Sequence, residues 1–326
     1  MKNKFWLVIF RGILMISAIG MTSALTTNNW NENKTINASL PLLGQGDHST
    51  PSVFYKDGWW YLISGLYGGT FTGFVYNDAT DTWSNNKTIN ASLPDIGDYS
   101  TPSVFYKDGW WYMISGEADG GFNGFVYNNA THTWTANKTI NASLPDIGVS
   151  SKPSIFQKDG WWYMISGEGA SGTYNGFVYD NTAHTWSENK TINASLPEIN
   201  SGFSTPSVFY NNGWWYMIAG KNTGEFDGFV YSDATHTWAA NTTINASLPE
   251  IGTMSFPSVF YKDFSWYMIS GNEVGSFNGF DYYELPEYSQ FSGYWDNNAT
   301  LGGSGIAYFN TTVTSTNGTV ILRFNN

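Results

Sequence analysis

The chain contains no cysteine. Disulfides and thiolate metal sites are therefore excluded, and stability has to come from packing and closure. Charge is also scarce. Charged residues make up 12% of the 326, with 14 Lys and Arg against 26 Asp and Glu, a net charge of −12. Phosphate binding needs a basic surface, so no nucleic-acid partner is expected. Helical apolar spacing is absent after the first two dozen residues. No later apolar run is long enough to cross a bilayer as a helix. There is no Ser-His-Asp grouping, no calcium-loop spacing and no Gly-rich phosphate loop leading into a helix, so no cofactor and no metal are expected.

What the chain has in excess is aromatic: 16 Trp, 21 Tyr and 22 Phe. That content fits a large core built from many short strands, not a disordered chain. At the N-terminus, Lys2, Lys4 and Arg11 accompany an apolar stretch at 13–20, and Thr22-Ser23-Ala24 follows as a cleavage site. Residues 1–24 therefore read as an export signal, with retention as an anchor the alternative. A secreted or cell-surface location follows, with membrane contact only through a retained leader. Asn-x-Ser/Thr occurs at Asn33, Asn37, Asn86, Asn90, Asn129, Asn137, Asn141, Asn189, Asn193, Asn241, Asn245, Asn298, Asn310 and Asn317. These are candidate glycosylation sites, although ten come from one duplicated phrase, Asn-Lys/Thr-Thr-Ile-Asn-Ala-Ser.

That phrase belongs to a repeat. Trp30, Trp83, Trp134, Trp186 and Trp238 each open a stretch ending in Ile-Asn-Ala-Ser-Leu-Pro. Pro51, Pro102, Pro153, Pro206 and Pro257 each begin Pro-Ser-Val/Ile-Phe. Units of this size build solenoids or propellers. The second unit resolves into strands at 104–107, 110–115, 122–127 and 133–140, separated by Gly, Asn and Asp turns. Trp110 to Ile114 is apolar at every position. Successive side chains in a strand point to opposite faces, so both faces must be covered, as in a propeller blade. The first unit begins at its fourth strand and the fifth stops after its third. The expected fold is all-β, a five-bladed propeller of four-stranded blades over 25–285, closed by an N-terminal strand at Trp30 pairing with 277–283. Closure hides two sheet edges. The paired sequons are expected to share an outward face of that fourth strand. The tail, 286–326, is expected to be a short β segment, docked or part of a sandwich, with strands at 308–313 and 319–324 around Asn317-Gly318.

The Tyr127 to Trp134 spacing and the phrase Asp108-Gly109-Trp110-Trp111-Tyr112-Met113-Ile114-Ser115-Gly116 resemble kelch repeats, with Ser-Gly in place of the kelch Gly-Gly. The inner-strand phrase is also similar to the five-bladed glycoside hydrolases of family 43, the arabinanase, levansucrase and invertase group. That resemblance implies a catalytic Asp before the Pro of an inner strand. Here the residues are Thr50, Thr101, Lys152, Thr205 and Phe256. Glycoside hydrolysis needs two carboxyl groups, and none stands at these positions.

Candidate ligand-binding residues are those nearest the expected funnel: Asp47, His48, Tyr67, Asp98, Tyr99, Glu117, Asp119, Lys152, Glu168, Lys221 and Glu273. Phe203 and Phe256 flank the inner strands in the same way. The Trp-Trp pairs read as blade-to-blade core, and His132, His184 and His236 as turn residues. The function these features point to is a surface module for binding or structure, carbohydrate-recognising, with glycans or other surface proteins as partners. No catalytic residue is assigned. The alternative is a family 43 type hydrolase whose carboxylates stand elsewhere.

Overall fold

The structure is a computed structural model that describes residues 29–43, 48–169, 171–198, 203–263, 265–283, 290–296 and 309–315. The expected leader, Asp47, and the sequons Asn298 and Asn317 lie outside the described residues. Contacts group the chain into two units, Met1–Tyr283 and Glu284–Asn326.

In the first unit, five four-stranded antiparallel sheets form the blades. The first blade runs from its innermost strand Thr50–Lys56 through Trp59–Gly65 and Phe71–Asn77 to Thr82–Asn85. The innermost strands of the others are Thr101–Lys107, Ser151–Lys158, Thr205–Asn211 and Phe256–Lys262. The fifth blade takes its outermost strand from the start of the chain. Asn29–Glu32 pairs with Phe277–Tyr283, setting Trp30 opposite Tyr282.

The uninterrupted apolar strands are covered on both faces. Met113 packs towards the first blade, in a cluster with Phe54, Ile63 and Ile89. Its neighbour Ile114 packs towards the third, with Met164 and Phe177. Both are fully buried, and each such side chain contributes roughly 1.5–3 kcal/mol. Clusters of this kind fill all five interfaces between blades. One of them joins Ile36, Phe260 and Ile269 to Leu62 and Phe74, closing fifth blade on first.

Polar side chains repeat the closure around the axis. The serine after each inner-strand proline accepts the backbone N–H of the next blade's Val or Ile. The bonds are Val104 to Ser52 at 3.1 Å, Ile155 to Ser103 at 3.1 Å, Val208 to Ser154 at 3.1 Å, Val259 to Ser207 at 3.0 Å, and Val53 to Ser258 at 3.0 Å. The last of these completes the circle.

The fourth strand is shorter than expected. It ends at Ala136 in the second blade, and one helical turn, Lys138–Asn141, follows. The cause lies in the duplicated phrase. Its first Asn accepts the N–H groups two and three residues on, as Asn33 does from Thr35 and Ile36 at 3.0 Å each. This is an N-cap, and it ends the extended run. The second Asn turns inward, and Asn37 Nδ2 donates to the Phe277 carbonyl at 2.7 Å. Asn90, Asn141, Asn193 and Asn245 make the same bond to Phe71, Phe122, Tyr174 and Phe226. The paired sequons therefore do not line one outward strand face. Ile36 enters the core, its carbonyl accepts from Trp83 Nε1 at 2.7 Å, and Ser39 Oγ accepts from Trp83 N–H. The phrase is a buckle that fastens one blade to the next at four of the five junctions; at the fourth-to-fifth junction Trp30 Nε1 and Ser247 Oγ have no hydrogen-bond partner among the described residues.

In the second unit, Gln290–Asp296 pairs antiparallel with Phe309–Ser315. The strand expected at 308–313 is present, but its partner precedes it in the chain. The hairpin expected around Asn317-Gly318 lies outside the described residues.

Candidate functional site

Each innermost strand is entered through three residues. These are His48-Ser49-Thr50, Tyr99-Ser100-Thr101, Ser150-Ser151-Lys152, Phe203-Ser204-Thr205 and Met254-Ser255-Phe256. The middle serine is fully buried in all five. Its hydroxyl donates back to the preceding blade's hairpin, as from Ser49 to Ser276 O at 2.7 Å and from Ser100 to Thr70 O at 3.0 Å. With the serine pinned, the residues beside it converge on the axis. Tyr99, Ser150, Phe203 and Met254 hold left-handed backbone, with φ between 54° and 63°. Non-glycine residues pay about 1–2 kcal/mol for that conformation.

The residues that meet there come from all five blades. The His48 ring lies 5.3 Å from Tyr67, 5.1 Å from Tyr99 and 6.0 Å from Phe256. Tyr67 and Tyr99 are 4.7 Å apart, edge to face. Lys152 Nζ stands over Phe203 at 4.1 Å and Phe256 at 5.1 Å. Lys152 is 1% exposed, and its ammonium nitrogen has no hydrogen-bond partner among the described residues. Burial drives its pKa well down from 10.5. Tyr99 is pushed up, first by burial and then by Tyr67, Asp98 and Glu273. Tyr67 is 40% exposed and Asp98 is exposed.

Of the candidate residues, the fold thus joins His48, Tyr67, Tyr99 and Lys152 in one aromatic cluster, with Asp98 and Glu273 near Tyr99. The others stay in their own hairpins. Glu168 accepts from Ser171 at 2.9 Å and Thr173 at 2.8 Å. Lys221 pairs with Asp227 at 2.8 Å and Glu225 at 3.5 Å. Asp119 Oδ1 accepts from the Gly121 N–H at 2.9 Å, holding its turn. Glu117 is raised by burial and by Asp119, against a hydrogen bond from Asn123.

The Trp-Trp pairs divide. The second of each pair belongs to the interface between blades, as Trp111 against Phe54 at 5.2 Å. The first does not: Trp59, Trp110, Trp161 and Trp214 are half exposed. They lie at the hairpins that end the innermost strands, away from the Lys152 cluster. Reading both as core missed this, because strand alternation separates the two neighbours. His132, His184 and His236 are exposed turn residues with φ of 55–56°.

No protein-family model matches the chain. Over 200 residues, 55% of the chain, it is 24% identical to a non-reducing-end α-L-arabinofuranosidase of Bacteroides ovatus, and it spans 36% of that relative's length. Among solved structures it is similar to a family 43 glycoside hydrolase of Xanthomonas citri crystallised with xylose. The TM-score is 0.53 and the identity 13%, over 76% of this chain and 91% of that one. An exo-1,5-α-L-arabinanase from a bovine ruminal metagenomic library matches with a TM-score of 0.51 and 12% identity, over 72% and 91%. These likenesses are to the five-bladed fold of family 43 hydrolases. The kelch resemblance rests on its spacing alone.

Proposed function

We propose that the chain is an exported, cell-surface module that binds carbohydrate without hydrolysing it. The observation that carries this reading is the set of residues before the inner-strand prolines. Thr50, Thr101, Lys152, Thr205 and Phe256 occupy the places where the resemblance implies a carboxylate. Hydrolysis needs an acid and a base flanking one bond. In this family's chemistry both are carboxyl groups, and none of the five residues carries one. The likeness to an α-L-arabinofuranosidase supports the ligand class, and the similarly folded family 43 enzyme is one crystallised with xylose. The basic-apolar leader and the sequons support export.

A second reading keeps hydrolase activity and rests on Glu117. A carboxyl raised by burial and by a neighbouring acid behaves as a general acid does. Incubating the purified protein with arabinan and xylan oligosaccharides separates the two. The expected result is saturable binding on a glycan array, with reducing ends released no faster than in buffer. Turnover abolished by Glu117→Gln would instead establish the hydrolase. Neither binding nor turnover would leave an architectural role.

A further inference from the structure

At the end of the ring away from Lys152, each innermost hairpin lies against the next blade. The first blade contributes Tyr55, Lys56 and Asp57, the second Tyr106, Trp111 and Asn129. Together they line a depression of about 430 Å³, within the size range of small-ligand sites. Lys56 is buried, pairs with Asp57, and reaches across to the Tyr127 ring at 5.0 Å. Tyr106 is 52% exposed, with its ring 5.1 Å from Trp111.

The lysine recurs as Lys107, Lys158 and Lys262, with Asn211 in the fourth blade, but the wall that it faces differs. Between third and fourth blades, Asp233 takes the place of Asn129 and bonds Lys158 at 2.6 Å. Burial opposes that ammonium's charge, but the bonds to Asp159 and Asp233 prevail and hold it up to about 12. Between fifth and first blades, Asp78 bonds Lys262 at 2.9 Å. Both grooves are bridged by an ion pair. Asn129 makes no such bond to Lys56 among the described residues. Between second and third blades Asn181 also replaces the acid, but Gln157 stands where Tyr106 would be. The groove between first and second blades therefore combines an unbridged lysine, an amide and an exposed ring.

We propose that this groove is a binding site for a neutral sugar unit. Tyr106 offers a flat face to the sugar's C–H surface. The Asp57 carboxylate accepts hydroxyl protons, the Asn129 amide both donates and accepts, and the Lys56 ammonium donates. The inference takes its ligand class from the function proposed above and places the ligand at the other end of the ring from the Lys152 cluster. Asn129 also opens a sequon, so a glycan on Asn129 would occupy the same space.

The test uses the full chain made in a host that does not glycosylate, titrated with xylose, arabinose, galactose and glucose and followed by saturation-transfer NMR. Wild type is expected to bind at least one of them at one site. Tyr106→Ala is expected to weaken binding about tenfold, the loss of one stacking contact. Asn129→Asp, which lets Lys56 bridge as Lys158 does, is expected to weaken it at least as much while leaving thermal stability equal or higher. The converse change, Asp78→Asn, unbridges the groove of Lys262, Tyr261 and Tyr55 and is expected to add a second site. Binding that survives Asn129→Asp and Tyr106→Ala but is lost in Tyr67→Ala overturns the groove and leaves the proposed function standing. No binding of any sugar by wild type, on the array or in solution, overturns both.

Discussion

Replacing Gly271 with alanine is expected to unfold the ring at temperatures where the wild type is intact. A Cβ built on Gly271 would lie 1.8 Å from the Ser49 carbonyl oxygen and 2.6 Å from its carbon. The obstacle is backbone, so no rotamer change relieves it. Ser49 N–H donates to Asn272 O at 3.0 Å, and Asn272 N–H donates to Ser49 Oγ at 3.0 Å. Moving the strand apart breaks these bonds, each worth about 1 kcal/mol, and overpacking costs roughly 1–3 kcal/mol more. The contact also joins the fifth blade to the first, where the ring closes. A loss of about 3 kcal/mol or more lowers Tm by about 6 °C or more in a domain of this size. Gly109→Ala is the control, since its Cβ meets nothing within 4 Å and only the φ of 87° opposes it. It is expected to cost about 1 kcal/mol. Calorimetry of the two variants decides. Equal Tm values for them would mean that the approach between blades does not limit stability.

The second large effect concerns Lys152. Two influences oppose each other there. The Phe203 face favours the ammonium by about 2 kcal/mol when desolvated. Burying an unpaired ammonium costs several kcal/mol. Burial wins, in keeping with the lowered pKa. The sign for stability follows. In the window between the lowered folded pKa and 10.5, the unfolded chain holds a proton that the folded chain lacks. Stability therefore rises with pH through that window. Below it both states are protonated and the burial penalty is complete. Lys152→Met fills the same space without an amine. It is expected to stabilise the protein at pH 7 by roughly 1–4 kcal/mol. Urea unfolding from pH 6 to 10 measures this. The advantage of Lys152→Met should shrink steadily towards pH 10.5. A variant less stable than wild type at pH 7, or a difference independent of pH, would mean that the amine is held by a partner.

The two effects arise from different kinds of information. Gly271 ends a phrase, Trp-Tyr-Met-Ile-Ser-Gly, that recurs with little change in every unit. Its recurrence is readable from the sequence, but its reason is not, because the Ser49 backbone it meets belongs to the next blade. The double-sided burial of Met113 and Ile114 was also readable, because consecutive apolar residues in a strand admit few other placements. The one-turn helix in the duplicated phrase was missed. The N-cap asparagine signals it, but β-branched Thr and Ile on either side favour a strand, and four residues are too short for helical periodicity to appear.

From its residues alone, the chain determined the number of blades, closure by a strand at Trp30 pairing with 277–283, and the lack of a carboxylate before each inner-strand proline. Each depends on order along the chain or on side-chain type, and both are written in the primary structure. Only the tertiary structure decided that Lys152 lies between Phe203 and Phe256, or that Lys56 faces Asn129 while Lys262 faces Asp78. These partners come from different units. Their meeting depends on how one blade is set against the next, an alignment that packing fixes and that no single repeat contains.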